Sequence, residues 1–80
     1  MVLSLRAAKK LVRRPDMGNI VAVFREGPDT EVWVRHGDTT SVGMARRHPK
    51  DRQDVEVGMR YAYSRATGAL ARRLVEASRE

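Results

Sequence analysis

The stretch VGMARRHPKDRQDVEVGMRYAYSRATGALARRL, residues 42–74, decides the fold. It opens with the end of a strand, Val42-Gly43-Met44-Ala45, and passes through a basic turn containing Pro49. From about Asp54 the apolar period becomes helical. Val55, Met59, Ala62, Ala66, Leu70, Leu74 and, just beyond the stretch, Ala77 fall on one continuous stripe. A helix with such a stripe needs an apolar surface to lie on, and the residues before it supply a sheet.

Three strands are readable upstream. Residues 19–26 are rich in β-formers (Ile20, Val21, Val23, Phe24), and Gly27-Pro28-Asp29 is turn chemistry with proline fixing its φ. Residues 30–36 alternate, with Val32, Val34 and His36 on one face and Glu31, Trp33 and Arg35 on the other; Gly37-Asp38 is the next turn. Residues 39–46 alternate again, and the bulkier set Thr40, Val42 and Met44 is the expected inward face. Ahead of the strands, residues 4–14 are helical. Leu5, Ala8, Leu11 and Val12 share one side, and Arg6, Lys9, Lys10 and Arg13 follow helical spacing on another. Pro15 ends this helix, because the residue before a proline is pushed out of the helical region.

The order helix, three strands, helix predicts an α+β domain: a three-stranded antiparallel sheet with two helices on one face, αβββα. It divides into a basic helix and loop over 1–18, the sheet over 19–47 and the long helix over 52–79. Eighty residues make one small domain that buries roughly 60% of its unfolded surface, so oligomerisation would be an easy stabiliser. With 41% apolar residues the chain is in the globular range, but one Trp, one Phe and two Tyr leave the core to Val, Leu, Met and Ala. The absence of Cys excludes disulfides and thiolate-rich zinc sites and agrees with a cytoplasmic protein. No apolar run reaches the ~20 residues of a membrane span, and Arg6, Lys9 and Lys10 interrupt the N-terminus too early for a signal peptide.

The charge is +6 and unevenly placed. Residues 1–18 hold five Lys or Arg against one Asp, 19–44 two against four acids, 45–60 five against three, and 61–80 four against two. Basic ends and an acidic middle suggest a phosphate-bearing partner.

The element order resembles the double-stranded-RNA-binding domain, with Glu26-Gly27-Pro28-Asp29 where that family has its Gly-Pro loop between the first two strands. Thr30 stands in place of the family's loop histidine. Arg46, Arg47, Lys50 and Arg52 lie just before the second helix, interrupted by Asp51, where the family's helix opens with a lysine cluster. Residues 42–74 are more closely similar to a family of small actinobacterial proteins of unknown function whose fold is double-stranded-RNA-binding-domain-like. The shared pattern is Val42-Gly43, Ala45, Pro49, Asp51, Gly58, Ala62, Arg65-Ala66, Leu70 and Leu74. That resemblance implies the fold and no particular activity, and an actinobacterial or actinobacteriophage origin agrees with the Arg-rich composition.

Two basic clusters are candidate phosphate contacts. On the first helix these are Arg6, Lys9, Lys10, Arg13 and Arg14, whose alternative role is a solvated outer face. An interfacial membrane helix is disfavoured by its short length and lack of an aromatic anchor. Before the second helix, Arg46, Arg47, Lys50 and Arg52 would add side-chain charge to the free amides of a helix N-terminus; Asp51, Asp54 and Glu56 in the same region can instead cap those amides. Arg65, Arg72 and Arg79 recur every seven residues away from the stripe, as a hydrated flank or a further row. Trp33 and Arg35 point away from the helices if Val32 and Val34 point inward, making them a protein-interface candidate; the reverse register would put Trp33 in the core. Tyr61 and Tyr63 are expected to rim the core with their hydroxyls in water. His36 and His48 lack companions for a metal, and no nucleophile-base pairing or phosphate-binding glycine loop is present.

The sequence therefore predicts a non-enzymatic binding module without cofactor or metal. Its leading partner is a nucleic-acid duplex, RNA or DNA, held by its backbone. The alternative is a protein-protein interaction module or homodimer, such as a small phage or host regulatory protein, using Trp33 or a sheet edge. Convergence of both basic clusters on one face would favour the first reading; opposite faces with Trp33 on a flat patch would favour the second.

Overall fold

The computed structural model describes residues 2–47 and 55–79. Five elements follow one another: α1 (Leu5–Val12), β1 (Ile20–Glu26), β2 (Asp29–His36), β3 (Thr39–Arg46) and α2 (Val55–Ser78). The strands form an antiparallel sheet in the order β1-β2-β3. Both helices lie on one face, α2 over β3 and β2 and α1 against α2. This is the expected αβββα architecture. The expected start of the long helix at residue 52 lies outside the described residues.

Local chemistry sets the boundaries. Ser4 caps α1, its Oγ accepting the Ala7 amide at 3.1 Å. The helix stops two residues short of the sequence expectation, because Arg13 is already extended (φ −87°, ψ 118°) ahead of the Arg14-Pro15 bond. Both hairpins turn on a glycine of positive φ, +57° at Gly27 and +59° at Gly37. Pro28 holds φ negative and Asp38 is not among the residues of positive φ, so both are turns whose twist matches that of the flanking strands.

The inward face of β3 is the reverse of the one expected. Ser41, Gly43 and Ala45 are buried against the helices, while Val42 and Met44 are exposed. Pairing enforces this. Gly43 lies opposite Val32 and Ser41 opposite Val34, and residues paired across an antiparallel ladder share a face. Small residues are required because α2 approaches by its backbone. A Cβ on Gly43 would collide with the Ala62 carbonyl oxygen and the Ala66 amide nitrogen, and would lie 2.8 Å from the Ala66 Cα. Bulk loses to proximity here.

The helix stripe is wider than a single line. Ala62, Ala66 and Leu70 face the sheet, and Tyr63, Thr67, Ala71 and Val75 form a second buried row. The second row's partner is α1, through Ala8 and Val12, and Leu3, Met17, Ile20 and Leu74 close the edges of the core. Ala77 is exposed, as are Leu5 and Leu11, so the buried line of α1 is narrower than its apolar sequence pattern.

Tyr63 is buried at 7% exposure, not a rim residue with its hydroxyl in water. That hydroxyl accepts the Arg14 amide at 2.9 Å and donates to Asn19 Oδ1 at 2.7 Å, while Asn19 Nδ2 donates to the Val12 carbonyl at 2.6 Å. A single phenol thus ties the exit of α1 to α2 and to the start of β1. At the other end, Ser78 Oγ accepts the Leu3 amide at 3.0 Å, fixing α1 antiparallel to α2.

Candidate interaction surfaces

Two surfaces of opposite character result. The first is the outside of the helix layer. Arg6, Lys10, Arg13 and Arg14 are exposed and Lys9 is half-buried. The ion pairs among the described residues, Arg35–Asp38, Arg46–Asp29 and Arg60–Glu56, engage none of these five cations. Arg72 and Arg79 of the C-terminal helix region are exposed as well. Arg65 has another task. It donates to the Met44 carbonyl at 2.6 Å, and Arg73 donates to the Thr40 carbonyl at 3.0 Å, so two arginines of α2 occupy carbonyls along the outer edge of β3.

The second surface is the sheet face turned away from the helices. Alternation puts Glu31, Trp33 and Arg35 of β2 there, next to Val42, Met44 and Arg46 of β3 and Ala22 and Phe24 of β1. Phe24 is 57% exposed and Met44 54%. Trp33 is half-buried between its cross-strand partners Ala22 and Val42, and its indole N–H is enclosed without an acceptor. At the β1–β2 turn end lies a depression of about 420 Å³ lined by Phe24, Arg25, Glu26, Asp29, Glu31 and Met44.

One member of the predicted second basic cluster, Arg46, does not share a surface with the first. Arg46 follows the inward Ala45, so its side chain goes to the outer sheet face, where it meets Asp29 at 3.6 Å. The Arg47 amide donates to the Pro28 carbonyl at 2.9 Å at the end of the sheet. Lys50 and Arg52, with the capping candidates Asp51 and Asp54, lie outside the described residues, and Glu56 pairs with Arg60 at 2.7 Å. Trp33 and Arg35 lie together on the outer face as the inward placement of Val32 and Val34 requires, and Arg35 Nε also donates to the Gly37 carbonyl at 2.6 Å.

Sequence reasoning missed the two edge-capping arginines and the Tyr63 network. The first left a trace, since Arg65 and Arg73 are eight residues apart, two turns and a fraction of a helix. The second depended on knowing that α1 lies beside α2. Among the described residues no group of three His, Asp or Glu could hold a metal ion, and no helix is long and apolar enough to cross a membrane.

No curated protein and no solved structure matches this chain. A family model does, over residues 29–80, the segment that contains β2, β3, α2 and the close contact of Gly43 with Ala62 and Ala66. On that match the chain belongs to the Rv2632c-like family.

Proposed function

We propose that this protein is a non-enzymatic module that binds the phosphate backbone of a nucleic-acid duplex through its helix layer. The supporting observation is the segregation of charge. Residues 1–19 and 55–80 hold ten cations, Arg6, Lys9, Lys10, Arg13 and Arg14 in the first stretch and Arg60, Arg65, Arg72, Arg73 and Arg79 in the second, against four acids, Asp16, Glu56, Glu76 and Glu80. Between residues 20 and 47 the four cations Arg25, Arg35, Arg46 and Arg47 are matched by the four acids Glu26, Asp29, Glu31 and Asp38. A positive potential concentrated on one layer attracts polyanions and orients them. The five α1-region cations carry the reading, because they lie within nine residues and form none of the ion pairs described above.

The reading differs from the sequence expectation in that Arg46 leaves the contact surface and cations of the α2 region join it; Arg46 and Trp33 on the outer sheet face favour, for that face alone, the protein-interaction reading taken up below. The αβββα order, with its resemblance to the double-stranded-RNA-binding domain, favours duplex over single strand, and backbone contacts of this kind read shape in either RNA or DNA.

The test is a fluorescence-anisotropy titration of matched RNA and DNA duplexes of about 20 base pairs across a salt series. The wild-type protein is compared with Lys9→Glu/Lys10→Glu and with Arg46→Glu. Binding should persist near physiological salt, with log K falling by about 0.9 per tenfold rise in salt for each phosphate held. The α1 variant should lose it, and Arg46→Glu should stay within about twofold of wild type, as a residue off the contact surface would. Binding that disappears at physiological salt, or that Arg46→Glu removes as fully as the α1 variant, overturns the reading.

A further inference from the structure

The outer sheet face has no role in that reading, yet it holds much of the chain's apolar bulk. The largest fully buried side chains are Leu70, Val12, Val32, Val34 and Thr67, whereas the one Phe is 57% exposed and the one Trp only half-buried on the outer face. A small domain that keeps its Phe and its Trp outside its core has a surface resembling half of another core.

The edges of the sheet are blunted against strand addition. Along β3, Arg65 and Arg73 occupy the carbonyls of Met44 and Thr40. Along β1, the pairing with β2 is broken by a register shift between Ile20 and Ala22, and Arg25, paired with Thr30, lies on the inward face of the strand. Bulges and inward charges are recognised ways of blunting an edge. The face of the sheet is therefore the more open surface for a partner.

Charge decides what fits there. On β2 the acid Glu31 and the base Arg35 lie two residues either side of Trp33. Arg46 at the end of β3 and Asp38 in the turn before it lie four residues either side of Val42, which pairs with Trp33; within one chain they meet Asp29 and Arg35 as solvent-exposed pairs at 3.6 and 3.8 Å, contacts loose enough to exchange for partners across an interface. A two-fold axis in the plane of the face, crossing the strands at Trp33 and Val42, carries Glu31 onto Arg35 and Arg46 onto Asp38. We propose that a second copy of this chain packs face to face on the outer sheet by that axis. Trp33 then lies against Trp33 of the second copy and Val42 against its counterpart, ringed by two Glu31–Arg35 pairs and two Arg46–Asp38 pairs between copies. The alternative axis, parallel to the strands, opposes Glu31 with Glu31 and Arg35 with Arg35, which like-charge repulsion disfavours. The interface is isologous and closes at two copies. Both helix layers face outward, so the dimer leaves the cationic surfaces free.

Sedimentation velocity from about 1 to 200 µM at physiological ionic strength, a range that spans ordinary homodimer affinities, tests this. The wild-type protein is run beside Glu31→Arg, Arg35→Glu and the double charge swap, with circular dichroism confirming that each folds. The expected result is a species of twice the 9.1 kDa chain mass, with the dissociation constant raised about tenfold or more in each single variant by like-charge opposition and restored in the swap. The single tryptophan reports on the same face: its emission should shift to shorter wavelength as the dimer forms. A wild-type protein that remains monomeric throughout overturns the proposal, and so does a dimer indifferent to either single substitution or not restored by the swap.

Discussion

The two faces of the sheet invert the usual distribution of bulk. Toward the helices, β3 presents Ser41, Gly43 and Ala45, and α2 answers with Ala62 and Ala66, so that backbone lies almost against backbone. Away from the helices the same three strands carry Phe24, Trp33, Val42 and Met44. One side gains stability from closeness, through many short dispersion contacts and the exclusion of water, and it tolerates no added atom. The other side holds larger side chains that add little to the stability of a single chain, because water still reaches them. Hydrophobicity alone does not tell which side of a strand is inside when the facing element is a helix of small residues.

The sharpest way to break that contrast is to add one methyl group at the tight side. Gly43→Ala places a Cβ where the Ala62 carbonyl and the Ala66 amide already are, and neither is the movable end of a side chain. The expected loss is about 3 kcal/mol, at the upper end for overpacking because backbone has to shift. It would be measured as a lower urea midpoint. A variant within 0.5 kcal/mol of wild type, roughly the noise of surface substitutions, would show that α2 does not approach β3 this closely.

Next in size is the hydroxyl of Tyr63. Tyr63→Phe keeps the ring and its volume but removes the acceptor for the Arg14 amide and the donor to Asn19. Leaving these partly buried groups unmatched should cost about 2 kcal/mol. The same urea titration, with amide hydrogen exchange at Arg14, would register the change; unaltered protection there would mean that water substitutes for the phenol.

A third substitution works in the opposite direction. Gly68 lies within α2, and a Cβ built there meets nothing within 4 Å. Gly68→Ala should therefore stabilise by about 1 kcal/mol, from helix propensity and reduced freedom of the unfolded chain. Set beside Gly43→Ala, it separates the two causes of a glycine effect. Both substitutions add the same methyl group, and only the surroundings differ, so a loss at position 68 would place a neighbour where the structure has open space.

How much of this was legible in the sequence follows from the same contrast. Element order and both turns were readable, because alternation and turn chemistry act within a few residues, whereas Trp33 was left between two registers and lies outward. The inward face of β3 was misread because Val42 and Met44 outweigh Ser41 and Gly43 on any scale of bulk, and the reason for Gly43 lies in a helix nineteen and more residues away. The first basic cluster was readable as a row on α1. In the second, Arg46 was misplaced, because strand alternation turns it to the face opposite the helices, where Asp29 meets it. Tyr63 was assigned to water because its partners, Arg14 and Asn19, come from another part of the chain.

The smallest expected effect concerns the edge on which the two faces meet. Arg65 and Arg73 are exposed, and their bonds to the Met44 and Thr40 carbonyls should contribute together about 1 kcal/mol or less, as solvent-accessible charged contacts do. Their larger consequence is protective, because an uncovered strand edge offers its carbonyls and amides to any other chain. Arg65→Ala/Arg73→Ala should unfold at nearly the wild-type urea concentration yet lose solubility with time, scattering light at protein concentrations where wild type stays clear. β1 carries its protection in the backbone, through the break in pairing at Ile20 and Ala22, whereas β3 borrows it from side chains of α2. Removing the side chains should therefore expose one edge and leave the other blunt. Pairs joined β3 to β3 would then be linked further through their outer faces, which carries the assembly to sizes that scatter light. If the double variant remains as soluble as wild type, the two arginines are bystanders and β3 owes its isolation to the α2 backbone alone.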